Sequence, residues 1–424
     1  MNKKFNKNFE ELAINKNREI ILSIAETGLA SINTEEVILN SIKLEGDVLR
    51  IMGESFDLSK FKKIKVIGFG KASTDGALAL EKILGSRITQ GAVIGLNKIA
   101  SKYIEIFAGT HPRPSEINVV AGKKIYEIVK DSTEEDLIIV LVSGGGSALL
   151  CLKEEECEQG IKLYDSFLKS GKTITEINTV RKHLSLLKGG GLAKLAYPAT
   201  VIGLIFSDVP GSRLEDVASG PTYKDETTIS DAKNVINKYN LGSFILNETP
   251  KEDKYFEKVH NFVLVSNKIA IEAMAQKGEA LGLKTNIIST ELYDEIGVAI
   301  KKIFSTEENN TLNLAAGEPS IVVKKGEGKG GRNLHMGLTA IKMGMIDQNS
   351  VFISLASDGM DNSDVAGIVI DKDILENIKK LNLNVEDYLE RFDSYNFFQK
   401  AGGMIMTGPT GANVSDLMIL LNKE

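Results

Sequence analysis

From about residue 60 onward the chain repeats one grammar: a short apolar run, a turn rich in glycine or acid, then a stretch with helical spacing. The apolar runs at Lys65–Gly68, Ala92–Leu96, Leu137–Val142 and Val201–Phe206 are nearly continuous and do not alternate with polar residues. Strands of that kind are covered on both faces, so the pattern predicts a mostly parallel sheet flanked by helices over residues 60–240. Ahead of it, residues 5–45 read as amphipathic helices rich in Glu and Lys. Residues 241–260 are polar and turn-rich and read as a connection. A second set of strands is expected at Phe262–Ser266, Thr285–Ser289, Leu312–Ala315, Ser320–Val323, Val351–Leu355 and Leu417–Leu421, with helices over 267–282 and 291–304. There is no internal repeat. The reading is α/β throughout, in two domains, residues 1–240 and 241–424, the second with a mixed sheet. The helical N-terminal segment is expected to pack on the second domain.

Length agrees, since 424 residues exceed one ordinary domain. A hydrophobic share of 42% and a charged share of 25% describe a globular chain with a sizeable core. The net charge of −6 argues against a broad nucleic-acid surface but leaves room for a local basic pocket. The two cysteines, Cys151 and Cys157, read as reduced thiols. The N-terminus has no apolar signal core, and no apolar run approaches the ~18 residues of a membrane span. A cytoplasmic location without membrane or nucleic-acid partners is the expectation, and a homodimer is left open.

Six segments carry the candidate chemistry. In KVIGFGKAS (65–73) a strand ends in Gly68 and Gly70, then Lys71, then a helix, a layout that lets backbone and cation approach an anion. A dinucleotide fingerprint is incomplete here, because Ser73 replaces the third small residue and the next strand ends at Asn97, not at an acid. In DLIIVLVSGGGSALL (136–150) the run Ser143, Gly144, Gly145, Gly146, Ser147 offers a row of donors. INTVRKHLSLLKGGG (177–191) crowds Asn178, Arg181, His183, Ser185 and Lys188, with Arg181 and Ser185 on one face if helical. TVIGLIFSDVPG (200–211) ends a strand in Ser207 and Asp208, and SGPT (219–222) follows. In VVKKGEGKGGRN (322–333), Gly326, Gly328, Gly330 and Gly331 surround Lys324, Lys325, Lys329 and Arg332, which reads as a phosphate clamp at a helix start. VFISLASDGMDNSD (351–364) again ends a strand in an acid, Asp358, with Asp361 and Asp364 behind it, and does not fit a calcium loop. Strand-end acids suit Mg²⁺ or general-base work.

Together with HPRPSE (111–116) and TGPTGANVSDL (407–417), these segments resemble, in order and over most of the chain, the class II glycerate 2-kinases, whose C-terminal half is the MOFRL module. The resemblance implies a Rossmann-like N-terminal domain, an active site in the cleft between the domains, and ATP- and Mg²⁺-dependent phosphorylation of glycerate at its 2-hydroxyl. It implies catalytic roles for Lys71, Asp208, Arg332 and Asp358, with Asp208 and Asp358 as the metal candidates. Substrate contacts fall on Ser143, Gly144, Gly145, Gly146, Ser147 and Arg181, and ATP contacts on Lys71, Gly328, Gly330, Gly331 and Arg332. The chain departs from the family pattern at Ser212–Arg213, Ser357, Gly191 and Leu334–His335, which bears on the exact acceptor. The alternatives are a hydroxypyruvate reductase, a label carried by related sequences, a kinase of another small hydroxy acid, and a non-catalytic sensing protein.

Overall fold

The computed structural model describes residues 4–168, 174–209, 213–306, 308–323 and 328–424. The chain forms two compact units, one of residues 34–264 and one that joins residues 1–33 to residues 265–424.

The first unit opens with a small antiparallel sheet, β1 (Ile42–Glu45), β2 (Val48–Ile51) and β3 (Glu54–Asp57). Its main sheet holds β4 (Lys63–Phe69), β5 (Ile88–Gly95), β6 (Glu105–Ala108), β7 (Asp136–Ser143), β8 (Thr200–Phe206) and β9 (Val259–Val265), in the order β6-β5-β4-β7-β8-β9. The pairings of β6 with β5, β5 with β4, β4 with β7 and β7 with β8 are parallel. Every residue of β7 is buried, which is why its sequence is an apolar run and not an alternation. Registers Phe69 opposite Val142 and Ser143 opposite Phe206 bring the carboxyl ends of β4, β7 and β8 level. A charge buried on the central strand is neutralised locally. Lys65 on β4 reaches Asp136 at 2.9 Å and Ser132 at 2.8 Å.

The second unit carries β10 (Lys284–Ser289), β11 (Thr311–Gly317), β12 (Ser350–Ala356), β13 (Gly367–Ile370), β14 (Met404–Ile405) and β15 (Asp416–Asn422), in the order β10-β11-β15-β12-β13-β14. Only β10 with β11 is parallel among its pairings, so the sheet is mixed. Gly317, Asp416 and Ala356 stand side by side across β11, β15 and β12. Residues 1–33 belong here because the helix Lys16–Ala30 packs on the helix Asn267–Ala280. Gly28 leaves room for Met274 there: a Cβ at Gly28 would stand 2.8 Å from Met274 Cγ. Arg18 fixes the same helix through Nε and Nη2 to Asp371 at 2.7 and 2.6 Å.

Four sequence expectations shift. The strand expected to begin the second domain is β9, an edge of the first sheet, where Val201 N donates to Lys258 O at 2.9 Å. The division expected between residues 240 and 241 therefore falls between 264 and 265. Ser320–Val323 is no strand; Ser320 makes an isolated bridge to Glu295. Residues 42–45, read as helix, form β1, and β13 and β14 were not anticipated. No helix among the described residues is long and apolar enough to cross a membrane.

The Lys65–Asp136 pair yields a prediction. Removing one partner of a buried pair strands the other charge, at a cost of about 3–5 kcal/mol. Lys65→Met should lower the urea midpoint sharply, and Lys65→Met with Asp136→Leu should recover much of the loss. Equal midpoints for single and double variants would refute the account.

Candidate active site

In the first unit the level strand ends converge. Lys71 follows β4, its amide donating to Gly144 O at 2.9 Å, and its side chain is exposed. Gly144 follows β7, and a Cβ there would stand 1.9 Å from Asp208 Oδ2, so the Asp208 carboxylate lies against bare backbone. Gly145 has φ +79, a conformation that favours glycine. A Cβ on Gly145 would meet His111 Nε2 at 3.2 Å and Lys71 Cγ at 3.2 Å. Gly146 is small because Ala218 packs on it, 2.6 Å from a built Cβ.

Arg181 comes from the last turn of the helix Ile174–Leu184. Burial lowers its pKa, and its charge is felt at His111. Neither Lys71 nor Arg181 forms an ion pair with a described residue. The other basic groups of the 177–191 segment are occupied. Lys182 lies 3.3 Å from Asp225, Lys188 2.6 Å from Glu156, and buried His183 sits 2.8 Å from Thr179 O. Ser185 lies past the helix end and accepts from Leu187 N, so it does not share a helical face with Arg181.

The two serines of the glycine loop serve the loop itself. Ser143 is buried; its Oγ accepts from Ala72 N at 3.1 Å and lies 3.2 Å from Ser73 Oγ, joining the β4 and β7 turns. Ser147 Oγ lies 2.8 Å from Ser219 Oγ, which links the loop to the SGPT turn.

In the second unit, Arg332 opens the helix Arg332–Lys342, as its place in the sequence predicts. Its guanidinium is shared between Asp416 Oδ2 at 2.7 Å and Glu318 Oε2 at 3.4 Å. Asn333 donates to Asp361 and, at 2.9 Å, to Asp416 Oδ1, and accepts from Ser354 Oγ at 2.6 Å. Asp361 caps this helix by accepting from Asn333 N at 2.9 Å and Leu334 N at 2.8 Å. Burial raises its carboxyl, and those two backbone bonds pull it back. Asp358 follows β12 in a half-buried turn and accepts from Met360 N at 3.0 Å.

The glycines of the GKGGRN loop answer to packing. A Cβ on Gly328 would stand 2.4 Å from Arg391 O, one on Gly330 2.3 Å from Ser394 Oγ, and one on Gly331 2.3 Å from Asp361 O. Lys329 sits over the Tyr395 ring, 3.5 Å from its centroid. Lys324, Lys325, Gly326 and Ser212 lie outside the described residues.

Comparison with known proteins identifies the family. Residues 20–249 match a domain of unknown function (DUF4147) and residues 311–416 match the MOFRL family. A glycerate 2-kinase of Pyrococcus horikoshii is 34% identical, covering 95% of this chain and 97% of its own. A D-glycerate 2-kinase of Thermotoga maritima is 35% identical over 87% of this chain and 93% of its own. The crystal structure of a Thermotoga maritima glycerate kinase superposes with a TM-score of 0.84 at 30% identity, covering 95% of this chain and 99% of that one. The chain belongs to the class II glycerate 2-kinase family.

Two residues near the first unit's strand ends were passed over in reading the sequence. His111 was seen only as part of HPRPSE, and Asn118 not at all. Asn118 is fully buried; it accepts from Thr110 N at 3.0 Å and donates to Thr110 O at 3.1 Å and Ala148 O at 3.2 Å, fixing the His111 turn to the glycine loop. Its signal was a polar residue on the apolar face of the helix Glu116–Val129.

Asp416 supplies a pH test. Burial, opposed by Arg332, raises its pKa from 3.8 to about 6. The folded state thus binds more protons than the unfolded chain between those values, and this stability contribution is present at low pH and lost as pH rises through about 6. Asp416→Asn removes it. The urea midpoint of the variant, relative to the unsubstituted protein, should rise as pH goes from ~4 to ~7. A pH-independent difference would show that Asp416 does not titrate in this range.

Proposed function

We propose that the chain is an ATP-dependent glycerate 2-kinase, moving the γ-phosphate to the 2-hydroxyl of D-glycerate to give 2-phosphoglycerate. One observation carries the reading: at the strand ends of the first unit, a carboxylate (Asp208) lies on the bare backbone of Gly144, while Lys71 lies over the adjacent Gly145 and Arg181 is felt at His111 there, neither cation in an ion pair with a described residue. Such a set suits an acceptor that is both an anion and an alcohol, since the cations hold its charge and the carboxylate takes its hydroxyl proton. The kinase names of the relatives support the same reading. A cytoplasmic setting goes with it.

Asp208 is then the base, accepting the 2-hydroxyl proton as the oxygen attacks the γ-phosphorus and ADP leaves. The second unit takes the nucleotide. Mg²⁺ is usually held by one or two carboxylates together with phosphate oxygens and water. Asp361 is committed to capping a helix, Asp416 to Arg332 and Asn333, and Asp364 lies 3.8 Å from Lys329. Asp358 accepts one backbone bond and keeps lone pairs for a cation, so it fits the ion best. When bound, Mg²⁺ neutralises charge on the β- and γ-phosphates. Arg332 is the residue proposed to face the transferred phosphoryl group. Its two acidic partners hold its fork in place and moderate its charge.

The direct test is a coupled ATP assay over a panel of small hydroxy acids, with phosphorus NMR of the product. Glycerate should be the preferred acceptor and 2-phosphoglycerate the product. NADH oxidation with hydroxypyruvate but no ADP from glycerate would instead identify a reductase.

The two acids separate under metal titration. Asp358→Asn should raise the Mg²⁺ requirement, whereas Asp208→Asn should lower kcat at saturating Mg²⁺ by at least ~100-fold. Near-normal rates for both at every Mg²⁺ level would make the acids structural.

A further inference from the structure

We infer that His111 is a substrate-contacting residue, its imidazole joining Lys71 and Arg181 to receive the carboxylate of the hydroxy-acid acceptor. The inference rests on the kinase reading above and adds a third member to its anion site. The geometry comes first. The His111 ring and the Lys71 stem both lie against Gly145, each 3.2 Å or less from a Cβ built there. A Cβ at Gly145 would press on both, so the bare backbone there lets the two groups lie together over the loop against whose Gly144 Asp208 packs.

The placement is built into the fold. His111 follows β6 by three residues, and Asn118 holds the preceding Thr110 to Ala148, just after the glycine loop. Ser115 and Asn118 close a capping box at the start of the helix Glu116–Val129, and Arg113 binds Asp165 at 2.7 Å. Such anchoring on both sides of an exposed histidine is more than a solvated turn needs.

The charges point to an anion. Partial burial of the ring lowers the His111 pKa to about 4, helped by Lys71 and then Arg181. The ring is therefore neutral at neutral pH and offers one N–H and one lone pair. Among the described residues, two cations stand by a neutral donor here, and the Asp208 carboxylate lies on the neighbouring glycine. An incoming carboxylate relieves that repulsion and finds a donor in the imidazole N–H. A neutral triol would gain nothing from these cations, so the three groups select an acid over an alcohol of the same size.

Nucleotide phosphate is the other source of a small oxyanion, and the experiment separates the two. The chain has four histidines, few enough for each ring to be followed by NMR with selective labelling and assigned through His111→Phe. D-Glycerate alone should shift the His111 ring signals, while glycerol and ADP alone should not. In kinetics, His111→Ala and His111→Phe should raise KM for glycerate at least ~10-fold, with KM for ATP changed less than ~2-fold. Signals that move only with nucleotide, or not at all, overturn the inference. So does a variant whose glycerate KM stays normal. Should these variants fail to fold, His111→Gln supplies the assignment, and the NMR arm on the unsubstituted protein still decides. A His111 shift with glycerate but no ATP turnover would keep the inference and reject the kinase reading.

Discussion

Parallel pairing makes neighbouring strands finish together, and in the first unit this one constraint assembles the candidate site. Phe69 opposite Val142 and Ser143 opposite Phe206 set the turns after β4, β7 and β8 at one height. Backbone that has left the ladder is no longer paired there, so the turns must satisfy one another. Lys71 N to Gly144 O and Ala72 N to Ser143 Oγ do that. Ser143 spends its hydroxyl on holding two turns at a fixed spacing. Lys71 and Arg181, near these turns, form no ion pair with a described residue, and His111 lies with Lys71 over Gly145.

The second unit handles charge differently. Arg332, Asn333, Asp361 and Asp416 form one network around the start of a helix, with almost every polar atom assigned. Burial would drive these carboxylates to take protons, and the amides and guanidinium oppose it. A half-satisfied version would cost more than an apolar core, which explains why the glycines of the loop give way wherever this network or the 391–395 segment comes close. Glycine richness in GKGGRN thus reports close packing as well as access for a ligand.

Part of this was legible in the residues alone. Nearly continuous apolar runs identified β4, β5, β7 and β8, because strands buried on both faces admit a polar residue only with a buried partner, as Lys65 has in Asp136. Asp208 and Asp358 were found at strand ends because an acid directly after an apolar run has only an edge to occupy. Shorter or lone elements escaped. The hairpins of β1 to β3 were signalled by alternation around the turns at Gly46 and Gly53, yet their runs are only four residues each. β9 was seen as a strand and given to the wrong sheet, since an apolar run does not name its partner.

The sequence by itself determined the α/β class, the strand-end acids, the glycine turns and the family, because each is written in local order: periodicity, residue type and the succession of motifs. Only the tertiary structure decided which of several cations in one segment has no ion pair with a described residue, which glycines yield to a neighbour, and that His111 shares a wall with Lys71 at Gly145. Those outcomes depend on contacts between residues distant in the chain. A lysine reads the same in sequence whether or not a buried acid waits for it 32 residues away, as Glu156 does for Lys188.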